Sequence, residues 1–254
     1  MFNDRQGATA SMFPTSETEN LCMMVTGIGS KQFSVLMTDT IPDVQMQFNG
    51  QCFPLHVFSE DRFDDGLFAA GSSSVLRKSD TLSDAVLNSF REFYSSPSIS
   101  KDDLFFYVYG VLHSPEFRDR FQNNLLKEIA RVPRVRTFDG FRSFSIAGKK
   151  LSDLHVGFEK VTPYPVSFKQ GDLKLAHIED PTSFFRVEKM RFAGTRESSD
   201  KSTVIYNQNV TITNIPSSAY DYIVNGKSAL EWVMERQSIK TDKDLSLIHI
   251  SEPT

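Results

Sequence analysis

From Leu104 to His113 the chain reads LFFYVYGVLH, without one Asp, Glu, Lys or Arg. Ser100-Lys-Asp-Asp103 precedes this run as a capping-box start, and Ser114-Pro115 follows it. There Ser suits a helix cap and Pro the first position of a new helix. A helix that is apolar on every side offers no face to water, so other elements have to surround it. It is also far short of the roughly 20 apolar residues that span a bilayer. The chain must therefore build a core around this segment.

The flanking sequence supplies the material. LCMMVTGI (21–28) and FSVLMTD (33–39) are β-rich and separated by Gly-Ser-Lys, as in a hairpin. QCFPLHVF (51–58) reads as a third strand, with Pro54 favouring an edge. DAVLNSFREFY (84–94) has apolar residues at 86, 87, 90, 93 and 94, a helical spacing, with Thr81 and Ser83 as caps. After Ser114-Pro115, Phe117, Phe121, Leu125 and Ile129 fall on one helical stripe, predicting a tight pair of helices with the apolar one. The basic segment RVRTFDGFRSFSIAGKK then reads as a loop leading into LSDLHVGFE, a helix ending near Gly157. FRVEKMRFA (185–193) and STVIYNQNVTITNI (202–215) read as strands, and short helices start at Ser217 and Ser228. Strands, then helices, then strands again predict an α+β fold, with mixed β-sheet regions flanking a central helical unit. Residues 1–20 are polar and turn-rich and read as a linker or the tail of a preceding unit.

Charge bears on partners. The chain carries a formal net charge of −4, whereas a free-standing DNA-binding domain is usually basic. Any nucleic-acid surface must then be local. Two clusters qualify. The first holds Arg118, Arg120, Lys127, Arg131, Arg134, Arg136, Arg142, Lys149 and Lys150, with Phe138, Phe141 and Phe144 among them. The second holds Arg186, Lys189, Arg191, Arg196 and Lys201. Phosphates require positive charge, and the arginine fork matches guanine bidentately. A charge run is also, more often than not, simply a solvated face.

Catalytic chemistry leaves little trace. Asn225-Gly-Lys-Ser228 ends like a phosphate loop, but the glycine such a loop requires is replaced by Asp221, and Ser228 suits a helix cap. The histidines (56, 113, 155, 177 and 249) form no metal-binding pair. His113 on its apolar helix reads as a satisfied core residue, and His155 with Asp153 or Glu159 is the one acid–base pairing on offer. Cys22 and Cys52 have no metal spacing and read as small buried residues in a reducing cytoplasm.

Four long stretches, taken in order, resemble one family: residues 38–58, 99–133, 138–159 and 204–243. They are similar to the C-terminal specificity domain of the Type ISP restriction–modification enzymes. The resemblance implies a cytoplasmic, bacterial parent polypeptide with a nuclease, a helicase-like ATPase motor, an adenine N6-methyltransferase and, last, this target recognition domain. It implies double-stranded DNA as ligand, and the methyltransferase and helicase domains of the same polypeptide as partners. S-adenosylmethionine, ATP and Mg belong to those other domains, and no cofactor or catalytic residue is expected in this chain. No Asn-Pro-Pro-Tyr signature or Walker motif is present to carry over. Past Lys243 the sequence departs from the family, and LSLIHISEPT reads as adaptor-derived, so 21–244 is the expected recognition domain and 245–254 an artefact. DNA contact is expected from Arg134, Arg136, Arg142, Lys189, Arg191 and Arg196, which lie in or beside loops of the two basic clusters. Two other readings remain open: a protein-interaction scaffold without DNA affinity of its own, and a stand-alone hydrolase.

Overall fold

The computed structural model describes residues 9–30, 32–43, 47–62, 74–171, 178–195, 197–240 and 248–249. The chain falls into two compact units, Met1–Val161 and Thr162–Thr254. The fold is α+β, as the order of elements predicts.

In the first unit, β1 (Cys22–Val25) is the middle strand of an antiparallel sheet, with β2 (Val35–Thr38) and β3 (Gln51–Pro54) on either side. Pro54 sits on an edge strand, where its missing N–H costs no ladder bond. The chain breaks at Leu55 and continues as β4 (His56–Arg62), which pairs with β5 (Ser74–Asp80) in a separate two-stranded ribbon. β5 is a strand beyond those expected from the sequence.

Four helices follow. α1 (Asp84–Tyr94) is capped by the Ser83 side chain. α2 (Lys101–His113) is the apolar helix, and Ser100 with Asp103 closes the expected capping box. Tyr107 and Tyr109 are fully buried along it. α3 (Pro115–Leu125) restarts at the Ser114 cap. α4 (Phe138–Val156) starts at the Thr137 cap and presents Phe141, Ser145, Gly148 and Ser152 inward.

Two expectations are corrected here. The stripe through Ile129 breaks because α3 stops at Leu125: the Gly29 N–H takes the Leu126 carbonyl at 2.9 Å, in place of a helical partner, and Ile129 stays 53% exposed. The chief partner of α2 is α4, not α3. Small residues cause this. A Cβ built on Gly148 would lie 2.8 Å from the Gly110 nitrogen and overlap the Phe106 carbonyl oxygen, so the two helix backbones touch where they cross.

The second unit holds an antiparallel sheet ordered β6 (Ser167–Phe168), β9 (Thr211–Thr213), β8 (Ser199–Ile205), β7 (Arg191–Gly194). Its core is Val187, Met190, Val204 and Ile215. Residues 185–190 are not strand as expected. The buried positions Val187 and Met190 are three apart, a spacing that a pleated strand cannot put on one face. A short helix, α5 (Pro181–Phe184), precedes them. β10 (Ile223–Val224) and β11 (Lys227–Ser228) form a hairpin around Asn225-Gly226. Both turn residues have positive φ (50° and 87°), the requirement of a type I′ turn and the reason for Asn-Gly. Ser228 then caps α6 (Ala229–Arg236) with a capping box to Glu231. β12 (Ile239–Lys240) pairs with β13 (Ile248–His249). No helix among the described residues is long and apolar enough to cross a membrane.

Candidate nucleic-acid interface

The segment joining α3 to α4 carries Arg134 and Arg136, and two tyrosines fix its path. The Tyr107 hydroxyl donates to the Pro133 carbonyl at 2.6 Å and accepts the Val135 N–H at 3.1 Å. The Tyr94 hydroxyl donates to the Val135 carbonyl at 2.6 Å. Val135 is thereby drawn against the core, and both arginines on either side of it are exposed. Burial pushes the Tyr107 phenol up to about 12, so its proton stays in place.

The two arginines differ. The Arg134 guanidinium lies 4.7 Å from the centre of the Phe93 ring and donates to the Ser89 carbonyl at 3.2 Å. It clamps the segment to α1 while keeping an exposed edge. Arg136 has no ion pair among the described residues and immediately precedes the Thr137 cap of α4. Arg142 lies on the second turn of α4 rather than in a loop, exposed, with its guanidinium 5.9 Å from the Phe138 ring. These three therefore gather near the N-terminal end of a 19-residue helix, where unsatisfied N–H groups and the macrodipole favour anions. Asp139 in the first turn opposes them.

Three other members of the first cluster are committed elsewhere, whereas Arg120, Lys127 and Lys150 are exposed and without ion pairs among the described residues. Arg118 donates to the Leu112 carbonyl at 2.8 Å, Arg131 pairs with Glu128 at 3.3 Å, and Lys149 pairs with Asp153. In the second unit, Lys201 is held by Glu231 at 3.1 Å. Lys189 and Arg191 are exposed and free of ion pairs among the described residues. Lys189 lines an open cleft with Glu188, Glu231 and Glu235, so its surroundings are mixed in charge. Arg191 opens the edge strand β7. Arg196 and His177 lie outside the described residues.

Arg77 and Lys78 fall outside both basic clusters. They are exposed neighbours on β5, opposite Ser59 and Phe58 of β4. The signal was the short β-rich run SVLRKSD, hidden by the polar stretch before it. A two-stranded antiparallel ribbon is a form that DNA grooves accept.

His155 and Asp153, two residues of the acid–base pairing read from sequence, have other partners. Asp153 is taken by Lys149, and the Tyr109 hydroxyl is hydrogen-bonded to His155 Nδ1. His113 is a core residue as expected, its ring nitrogens 2.8 Å from the Tyr109 carbonyl and 3.1 Å from that of Val35. Burial lowers both histidines to about 4, so both are neutral at pH 7. Among the described residues no three His, Cys, Asp or Glu side chains are grouped to hold a metal.

The family model described as the Type ISP C-terminal specificity domain matches residues 1–252. The chain belongs to that family. Solved structures similar to it include the following three. The ATP-dependent Type ISP restriction–modification enzyme LlaBIII bound to DNA is 30% identical, with a TM-score of 0.72 over 94% of this chain. A nuclease-deletion mutant of the Type ISP enzyme LlaGI, in complex with a DNA substrate mimic, is 28% identical, with a TM-score of 0.65 over 92%. The DrdV–DNA complex is 28% identical, with a TM-score of 0.73 over 92%. This specificity domain spans 14%, 15% and 22% of the lengths of those chains. No curated protein sequence matches it.

Proposed function

We propose that this chain chooses the DNA site for a larger ATP-dependent, single-polypeptide restriction–modification enzyme and has no catalytic centre of its own. Nuclease, helicase-like motor and adenine N6-methyltransferase would lie in other parts of that polypeptide. The observation that carries the reading is the arginine group at the start of α4. Arg136 and Arg142 are exposed and without carboxylate partners among the described residues, Arg136 beside a backbone pinned by Tyr94 and Tyr107 and Arg142 on α4. Charge left unpaired on a rigid support meets a phosphate at little ordering cost. Arg134, Lys189, Arg191 and Arg196 complete the proposed contact set, with Arg77 and Lys78 added by the ribbon. The structures of DNA-bound relatives support double-stranded DNA as ligand.

One observation favours a second reading, a scaffold that docks on the rest of the polypeptide. Ile146, Leu154 and Phe158 are 48%, 50% and 67% exposed, spaced along α4 and just beyond it. Salt-titrated binding to double-stranded DNA separates the two. A DNA reader shows log affinity falling linearly with log salt, and Arg136→Ala lowers the slope by about one. Absence of binding even at low salt leaves only the scaffold.

A further inference from the structure

Three sulfur atoms from three separate stretches of chain meet at the sheet. Cys22 and Cys52 are diagonal neighbours on one face of the β1–β3 pair, because Cys22 stands opposite Pro54 and Met24 opposite Cys52. Over them lies Met12, from a helical turn at residues 9–12, with its Sδ 4.0 Å from Cys22 Sγ and 3.5 Å from Cys52 Sγ. Buried Asn20 holds this turn in place. Its Nδ2 donates to the Met12 carbonyl at 3.0 Å and to the His56 carbonyl at 2.9 Å, and its Oδ1 accepts from the Leu21 and His56 N–H groups. Buried Phe13 anchors the next residue.

We propose that Met12, Cys22 and Cys52 form a binding site for one soft monovalent d10 ion, Cu(I) in chemical class. Metal–sulfur bonds of about 2.3 Å in a planar triangle require sulfurs about 4.0 Å apart. The two separations from Met12 are 4.0 and 3.5 Å, each within half an ångström of that spacing. Thiolate and thioether donors select Cu(I) over harder ions. A zinc site would require a fourth donor, and no group of His, Cys, Asp or Glu supplies one among the described residues. A disulfide is the poorer use of the pair. Diagonal strand neighbours have Cα atoms roughly 7–8 Å apart, beyond normal disulfide reach. On binding, both thiols release protons to solvent, each sulfur donates a lone pair, and the ion stays Cu(I). The bound ion would tie the N-terminal turn to the sheet.

The test is anaerobic titration of the full chain with Cu(I) against a colorimetric Cu(I) chelator, followed by X-ray absorption at the copper edge. One ion per chain, with three sulfur neighbours, is expected. Met12→Leu conserves volume, so the fold should hold, and the shell should drop to two sulfurs. Cys22→Ser/Cys52→Ser, checked for folding by circular dichroism, should lose the ion. No retention by the natural chain, or an unchanged three-sulfur shell in Met12→Leu, overturns the site. Neither readout involves DNA, so the outcome is independent of the proposed target recognition.

Discussion

Removing the Tyr107 hydroxyl should loosen the proposed DNA-contacting segment without touching a charge. Tyr107→Phe keeps the ring in its aromatic surroundings, against Phe141 with centroids 4.9 Å apart. What it loses are two hydrogen bonds, to the Pro133 carbonyl and from the Val135 N–H. Pro133 is exposed, so its carbonyl can turn to water at a cost of about 1 kcal/mol. Val135 is half-buried beneath the segment, and stranding its N–H costs about 1–2 kcal/mol. The expected loss is about 2–3 kcal/mol, read as a lower urea midpoint and as faster hydrogen exchange at the Val135 amide. Tyr94→Phe breaks one bond, to the Val135 carbonyl, and should cost about half as much. DNA affinity should fall in Tyr107→Phe while the slope of log affinity against log salt stays fixed, because no phosphate contact is removed. A stability loss under about 0.5 kcal/mol would show that water replaces the phenol and that the pinning argument is wrong.

Other perturbations test other parts of the structure. Gly148→Ala drives a Cβ into the Phe106 carbonyl and must separate α2 from α4, at a cost of about 3 kcal/mol or more; an unchanged thermal midpoint would mean the crossing has slack. Arg142→Ala should lower the salt slope of DNA binding by about one, whereas Lys149→Ala, which removes a lysine already paired with Asp153, should leave it nearly unchanged; equal effects would place the contact surface elsewhere on α4. Acidification should destabilise the first unit between pH 6.5 and about 4. His113 and His155 are held near 4 when folded and titrate near the ordinary imidazole value of 6.5 when unfolded, so over this window the unfolded chain binds more protons and stability falls as the pH is lowered. A urea midpoint unchanged from pH 7 to pH 5 would refute the burial of the two rings.

Local rules made much of the fold legible. Ser100–Asp103, Ser114-Pro115 and Ser228–Glu231 each encode a helix start within four residues, and each forms. The apolar run at Leu104–His113 announced its own burial. What stayed hidden depends on distant chain. α3 stops where Gly29, from the β1–β2 connection, captures a carbonyl, and nothing near Leu126 encodes that event. The pairing of α2 with α4 rests on Gly110 and Gly148, and a lone glycine within a helical pattern reads as a weakness until its neighbour is known. At the candidate site the basic residue types were visible, but their availability was not. The partners that remove Arg118, Arg131 and Lys149 are near in sequence, yet only geometry shows which arginines are left over.

That distinction answers the objection raised by a net charge of −4. A formal sum counts Lys201, whose charge is met by Glu231 at 3.1 Å, the same as Arg136, which meets none among the described residues. Phosphate recognition depends on the second kind. At physiological ionic strength exposed charges are screened beyond about 8 Å, so carboxylates scattered over the rest of the surface weigh little on a phosphate held against Arg136 and Arg142. An acidic chain can thus present a cationic contact surface, provided its unpaired arginines share one rigid support. Here that support is a buried phenol below Val135 and a helix that begins one residue after Arg136 with its Thr137 cap.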